Sequence, residues 1–221
     1  MAIQLHQTII RFPEIRLATR EADKLRGYFG NLFKEQSPLL HNHLESGETL
    51  YRYPMVQYKV LQGVPVLMGI NEGADLLTQL FIKIRNIDID GRNYPVLEKN
   101  IESKQVTTGL SDDLHAYRFE TAWMALNQKN YADYLKEDEQ QQARHLKAIL
   151  IGNMLSFCKA IDYQVAGNIL ANLKITGTKE TQFKQNAMLL FEASFVTNML
   201  LPDNIGLGKQ TARGFGSVLS A

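Results

Sequence analysis

The chain has 221 residues, 45% of them apolar, and carries 24 basic against 23 acidic side chains. That apolar content excludes a disordered chain and supports one large domain or two of about 100 residues, and the net charge of +1 excludes the strong basic excess of a non-specific nucleic-acid binder. A single cysteine, Cys158, excludes a disulfide or a cysteine-ligated zinc site within one chain and fits a cytoplasmic protein.

The N-terminus carries no basic segment followed by a long apolar one, and no apolar run reaches membrane-spanning length, so neither a signal peptide nor a membrane is expected. Ile3 to Phe12 reads as a strand ended by Pro13. A helix follows, with Thr19 as N-cap, Glu21 and Asp23 in its first turn, and Leu25, Tyr28, Phe29, Leu32 and Phe33 at helical spacing. A polar loop from Lys34 to Gly47 carries Pro and Gly punctuation. Tyr51 to Leu61 and Val64 to Ile70 read as strands, with Val56, Tyr58 and Val60 on one face of the first and Gln57 and Lys59 on the other. Asn71 is placed to cap a short helix, Ile82 to Ile89 returns as a strand, and Asp90-Gly91 turns the chain into Tyr94 to Leu97. The order strand, helix, strand, strand, helix, strand is that of a split βαβ unit, the ferredoxin-like plan.

The second half reads as a less regular α+β domain, so residues 1–101 and 102–221 are the expected domains. Leu114 to Thr121 is strand-like and Asn130 to Leu135 a helical turn. Glu137 to Ile161 is the longest helix, broad enough in its apolar stripe to be largely buried. Leu173 to Thr176 and Met188 to Met199 read as paired strands, Phe191, Ala193 and Phe195 alternating with polar neighbours, and Phe215 to Leu219 is a last short strand.

Before that strand lies Gly206-Leu207-Gly208-Lys209-Gln210-Thr211-Ala212-Arg213-Gly214-Phe215-Gly216. Two Gly-hydrophobe-Gly steps flank five residues that include Lys209 and Arg213. Glycine admits positive φ and close approach to bare N–H groups, and a concave run of such groups is an anion site. Lys209 adds a point charge and Arg213 a bidentate fork. A flexible hairpin turn is the competing reading. The loop is not a Walker loop, because Gln210 follows Gly208-Lys209. It is not a dinucleotide fingerprint, because Thr211 stands where the third glycine belongs.

This arrangement resembles the signature loop of the CRISPR-associated endoribonucleases that cut precursor CRISPR RNA within its repeats, the Cas "six" family. The resemblance implies two tandem ferredoxin-like, RRM-like domains, CRISPR repeat RNA as partner, and RNA cleavage without metal or other cofactor. It implies an RNA-binding loop formed by Gly206, Gly208, Lys209, Arg213, Gly214 and Gly216. Association with a CRISPR effector complex and a monomeric or homodimeric state are both compatible with it.

Among the five histidines, His41 and His43 fall together. Histidine takes and gives protons near neutral pH. Residues two apart in an extended segment point the same way, about 6.6 Å apart at roughly 3.3 Å per residue, which suits two imidazoles flanking one phosphate. Such a pair is also what a solvated polar loop contains. His-x-His is a metal-ligand spacing too, with Glu45 and Glu48 the nearest carboxylates in sequence, and the letters His-Asn-His do not make the metal-dependent nuclease motif of that name. The branch of the family with a histidine-rich site carries a lysine before the pair and a tyrosine after it. By that resemblance the catalytic set is Lys34, His41, His43 and Tyr51. Tyr53 competes with Tyr51, Lys34 equally suits the end of a helix, and base and acid stay unassigned between the two histidines. His6, His115 and His145 read as structural, Arg144 and Lys147 as a solvated helix face, and Arg52, Lys59 and Arg118 as candidate phosphate contacts without a motif. The competing class is a non-catalytic RNA-binding subunit of the same fold.

Overall fold

The structure, a computed structural model, describes residues 2–32, 53–183 and 186–221. Two compact units divide the chain. The first holds Gln4–Val106 together with Ala212–Gly214, and the second holds Thr107–Thr211 and Phe215–Ala221 with the first residues of the chain.

In the first unit, β1 (Ile3–Arg11), α1 (Ala22–Leu32), β2 (Val56–Leu61), β3 (Val64–Ile70) and α2 (Glu72–Leu80) follow in order. The hairpin of β4 (Asn86–Ile89) and β5 (Arg92–Pro95) comes next, and then the long β6 (Asn100–Phe119). The strands run β2-β3-β1-β6, the order a split βαβ unit produces when each crossover skips one strand. Ile10, Val56, Tyr58, Val60 and Leu67 on one sheet face meet Leu25 and Phe29 of α1 and Leu76, Leu77 and Leu80 of α2, which is the core.

The fourth strand of this sheet is β6 and not the predicted segment from Ile82 to Ile89. Phe81–Lys83 is a 3-10 turn, and Lys99 Nζ donates to the carbonyls of Phe81 and Ile84 at 2.6 and 2.7 Å. Asn86–Ile89 then folds back on its neighbour through Asp90 and Gly91, both at positive φ. The first part of β6 is almost wholly exposed, so no apolar alternation announced it. Polar chemistry ties it instead: His6 Nδ1 lies 2.8 Å from Asp75 Oδ1 of α2 and His6 Nε2 lies 2.7 Å from Ser103 Oγ of β6.

Both predicted caps differ. Thr19 opens a 3-10 turn, and the capping bond runs from the Ala18 N–H to the Glu21 carboxylate at 2.8 Å. Asn71 precedes α2 at φ 47°, but its side chain accepts from the His6 N–H at 3.3 Å rather than capping the helix. Gln57 and Lys59, placed by the sequence on the face opposite Val56, Tyr58 and Val60, are also 0% exposed.

The second unit has the hairpin of β7 (Ala171–Phe183) and β8 (Asn186–Leu200), with β8 also paired to β6 and β9 (Val218–Ser220) paired to the end of β6. Between these strands lie α3 (Gln128–Tyr134) and α4 (Glu139–Ala160). Leu146, Leu150, Met154, Phe157 and Cys158 are the buried residues of α4, while Ala143 and Leu155 are exposed. The helix therefore packs by one narrow stripe, not the broad buried surface expected. Trp123 is 0% exposed and stacks on Phe119 at 5.2 Å, with Phe191 at 6.0 Å. Its indole N–H donates to Asn153 Oδ1 of α4 at 3.1 Å.

Candidate nucleic-acid interface

The glycine-rich segment closes on itself at its neck. Gly206 pairs with Ser217, and the Leu207 N–H donates to the Gly216 carbonyl at 2.8 Å. Gly208, Gln210, Gly214 and Gly216 all have positive φ. The two Gly-hydrophobe-Gly steps thus face one another, and Leu207 is the buried anchor, 0% exposed. A side chain at Gly208 would run into the Trp123 indole at 2.7 Å. One at Gly216 would overlap the Leu207 carbonyl oxygen. These glycines are required by the protein's own packing, which a merely flexible turn would not need.

The sequence reading expected bare N–H groups here, and the structure narrows that expectation. Leu207 N donates to Gly216 O, Lys209 N to Met124 O at 2.9 Å, and Gly216 N to Ala122 O at 3.0 Å. These three donors hold the loop in place and are not offered to a ligand. Beside these, the segment carries two cationic side chains. Thr211–Arg213 forms a 3-10 turn in which Thr211 is buried and Arg213 half-buried, and Lys209 is exposed.

Ala212–Gly214 packs with the first unit. A Cβ at Gly214 would lie 2.8 Å from the Ala22 methyl, 3.2 Å from the Tyr58 carbonyl oxygen and 3.6 Å from Lys59 Cα. The segment therefore lies against the start of α1 and along β2. Lys59 itself is wholly buried and does not serve as the surface phosphate contact raised above. Arg118 is exposed on β6.

Lys34, His41, His43 and Tyr51 lie outside the described residues, in the stretch between α1 and β2. Their competitor Tyr53 is described: its hydroxyl accepts from Gln57 Nε2 at 2.9 Å. The three other histidines are held by structure. His6 bridges α2 and β6, His145 Nδ1 meets the Glu137 carboxylate at 2.9 and 3.0 Å, and His115 sits in β6 with a buried Nε2. Among the described residues no three His, Cys, Asp or Glu side chains are grouped to hold a metal, and no helix is long and apolar enough to cross a membrane. Sequence reasoning missed Trp123 as the floor of the loop; its one signal was being the only tryptophan.

Residues 3–107 match the family model of the Cas6b N-terminal domain, and residues 109–221 that of the Cas6b C-terminal domain. The chain belongs to the Cas6b family. A crystal structure of a Cas6b protein superposes with a TM-score of 0.92 at 32% identity, covering 99% of this chain and 100% of that one. A second, titled CRISPR RNA processing endoribonuclease Cas6b, has a TM-score of 0.80 at 29% identity, with 99% and 100% covered. A type IV Cas6 crRNA endonuclease, at 12% identity and a TM-score of 0.61, shares the fold alone. Over 141 residues, 64% of this chain and 96% of the relative, the sequence is 32% identical to the uncharacterized protein MJ0978 of Methanocaldococcus jannaschii. The α+β class with two tandem ferredoxin-like domains, predicted from the sequence, is that of this family of structures.

Proposed function

We propose that this Cas6b protein is a metal-independent endoribonuclease that binds CRISPR repeat RNA with the Gly206–Gly216 segment and cuts it with His41 and His43. The observation that carries the reading is the chain-long likeness to Cas6b, one such structure being titled an RNA-processing endoribonuclease. The packed glycine loop supports it, because the segment carries Lys209 exposed and Arg213 half-buried.

The chemistry is internal transesterification. One imidazole takes the proton of a ribose 2′-hydroxyl, whose oxygen attacks the adjacent phosphorus. The bond to the 5′-oxygen breaks, and that oxygen takes a proton from the second, protonated imidazole. The products are a 2′,3′-cyclic phosphate and a 5′-hydroxyl, with no water consumed. Each proton transfer contributes about 10²–10⁴ in rate. Lys34 offsets charge building on the pentavalent phosphorus, and Tyr51 orients the phosphate. Acting on a cellular transcript, the protein works in the cytoplasm.

The test is labelled repeat RNA incubated with the protein in excess chelator, with and without a 2′-deoxy sugar at the cut position. Cutting that survives chelator and stops with the deoxy sugar is the expected result. Binding without cutting would make the chain an RNA-binding subunit, and neither would remove repeat RNA as the substrate.

A further inference from the structure

We propose that the outward face of the β6, β8 and β7 strands in the second unit is the contact surface of a homodimer. Residue pairing lays this face out in rows. Arg118, Ser194 and Lys174 are register partners across the three strands, and so are Ala116, Val196 and Asn172. Side chains alternate between the two faces of a sheet. Tyr117 and Phe195, one residue along from each row, are buried and stack at 5.5 Å, so the rows point away from that core. Further along, the Asn198 N–H donates to the Leu170 carbonyl at 3.4 Å, and the Leu170 N–H donates to Asn198 Oδ1 at 2.8 Å. Leu114, two residues before Ala116, joins this third row. Leu114 is 63% exposed, Leu170 57% and Val196 36%, and Ala116 is exposed among them. Large apolar side chains grouped in the open mark a contact surface, whereas single ones do not.

Charge selects the occupant. Arg118 and Lys174, both exposed, end the patch on one side. Asp112 and Asp113, both exposed in the register shift of β6 before His115, end it on the other. Glu120 and Glu192 come next beyond the cations, the Glu192 carboxylate lying over Gly177. Carboxylates thus outnumber cations here, which opposes a polyanion such as RNA. A second copy fits instead. A two-fold axis lying between the two faces, across the strands and between the Val196 and Leu114 rows, turns the face end for end. Each Arg118 then lies over the other copy's Asp112 and Asp113, and each Leu114 over the other copy's Ala116. An axis along the strands would set Arg118 against the other copy's Lys174, which like charge opposes. One patch that complements itself is what a two-fold contact requires. Three strands about 4.8 Å apart, with about five rows at roughly 6.8 Å each, cover roughly 500 Å² per copy. Both sides together stand near the lower limit for a specific interface, so the dimer is weak and concentration-dependent.

The experiment is sedimentation velocity of the full chain without RNA, over a concentration series at low and raised salt, with a thermal melt of each variant. Wild type is expected to pass reversibly from monomer to dimer with a dissociation constant of about 1–100 μM, weakening as salt screens the end contacts. Leu114→Asp should stay monomeric with an unchanged melting temperature, because the side chain is exposed in the single chain. Reversing the basic end, Arg118→Glu with Lys174→Glu, should weaken the dimer about tenfold or more, and so should reversing the acidic end, Asp112→Arg with Asp113→Arg. All four changes in one chain should restore association, since each reversed end again meets its opposite. This reversal set decides alone if Leu114→Asp lowers the melting temperature. A wild type monomeric throughout that range, a dimer indifferent to a stably folded Leu114→Asp, or a fourfold variant no better than its two parents would overturn the proposal. So would a reversed basic end that leaves self-association unchanged and weakens binding of labelled repeat RNA, which would assign the face to RNA.

Discussion

Gly216 sits so close to Leu207 that any side chain at position 216 would overlap the Leu207 carbonyl oxygen, the residue whose N–H the Gly216 carbonyl accepts. The pair is the lock of the glycine segment. With Gly216 at φ 65° as well, Gly216→Ala incurs both a left-handed backbone and a backbone clash, at least about 1–2 kcal/mol from the first alone. A lowered melting temperature together with weakened RNA binding is the expected outcome. Equal melting curves for Gly216→Ala and wild type would mean that the neck does not form as described.

Lys209 should behave in the opposite way. Its side chain is exposed while its N–H is fixed to the Met124 carbonyl at 2.9 Å, so Lys209→Ala removes charge without disturbing the fold. Unchanged thermal stability is expected, with weaker RNA binding and a shallower salt dependence. Affinity indifferent to this change at every salt concentration would take the tip out of the interface.

The histidines should divide into two groups. His41→Ala and His43→Ala are each expected to slow cutting by about 10²–10⁴ while RNA is still bound, with a bell-shaped dependence of rate on pH in the wild type. His6→Ala should lower stability by about 0.5–1.5 kcal/mol, because it removes the side chain that links Asp75 of α2 to Ser103 of β6. Its cleavage rate at saturating RNA should remain near wild type. A stable but inactive His6→Ala protein would reverse these assignments.

Glu21 gives a pH signature for the first unit. Its carboxyl is held below the usual carboxylate range, first by the Ala18 N–H and then, against the opposing effect of burial, by the Arg92 guanidinium. A depressed folded-state value stabilises the fold above the unfolded pKa, and that contribution is lost as pH falls through the folded value. Glu21→Gln should therefore be less stable than wild type at neutral pH, with the gap closing in acid. A gap that stays constant from neutral pH down through the carboxylate range would show that the ionised form is not what matters.

Local chemistry made much of this protein legible from residues alone. The Gly-hydrophobe-Gly repeat marked the loop, and alternation in Phe191, Ala193 and Phe195 marked a strand whose inner face is buried. The spacing of Leu146, Leu150, Met154 and Phe157 marked the long helix. Where apolar period was missing, the sequence misled: the fourth strand of the first sheet is polar and exposed, and side-chain hydrogen bonds from His6 tie it in. Buried Gln57 and Lys59 carried a surface-like pattern for the same reason, since period two records alternation and not which face is covered.

By itself the sequence determined the class of the fold and marked the glycine segment, because each depends on residue type and short spacing. Tertiary structure decided what the glycines are for and where the glycine segment rests. Trp123 precedes Gly208 by 85 positions and Ala22 precedes Gly214 by 192, so no local rule connects them. Packing against the indole turned a permissive backbone into a required one, and Gly214 came to rest on Ala22 at the start of α1.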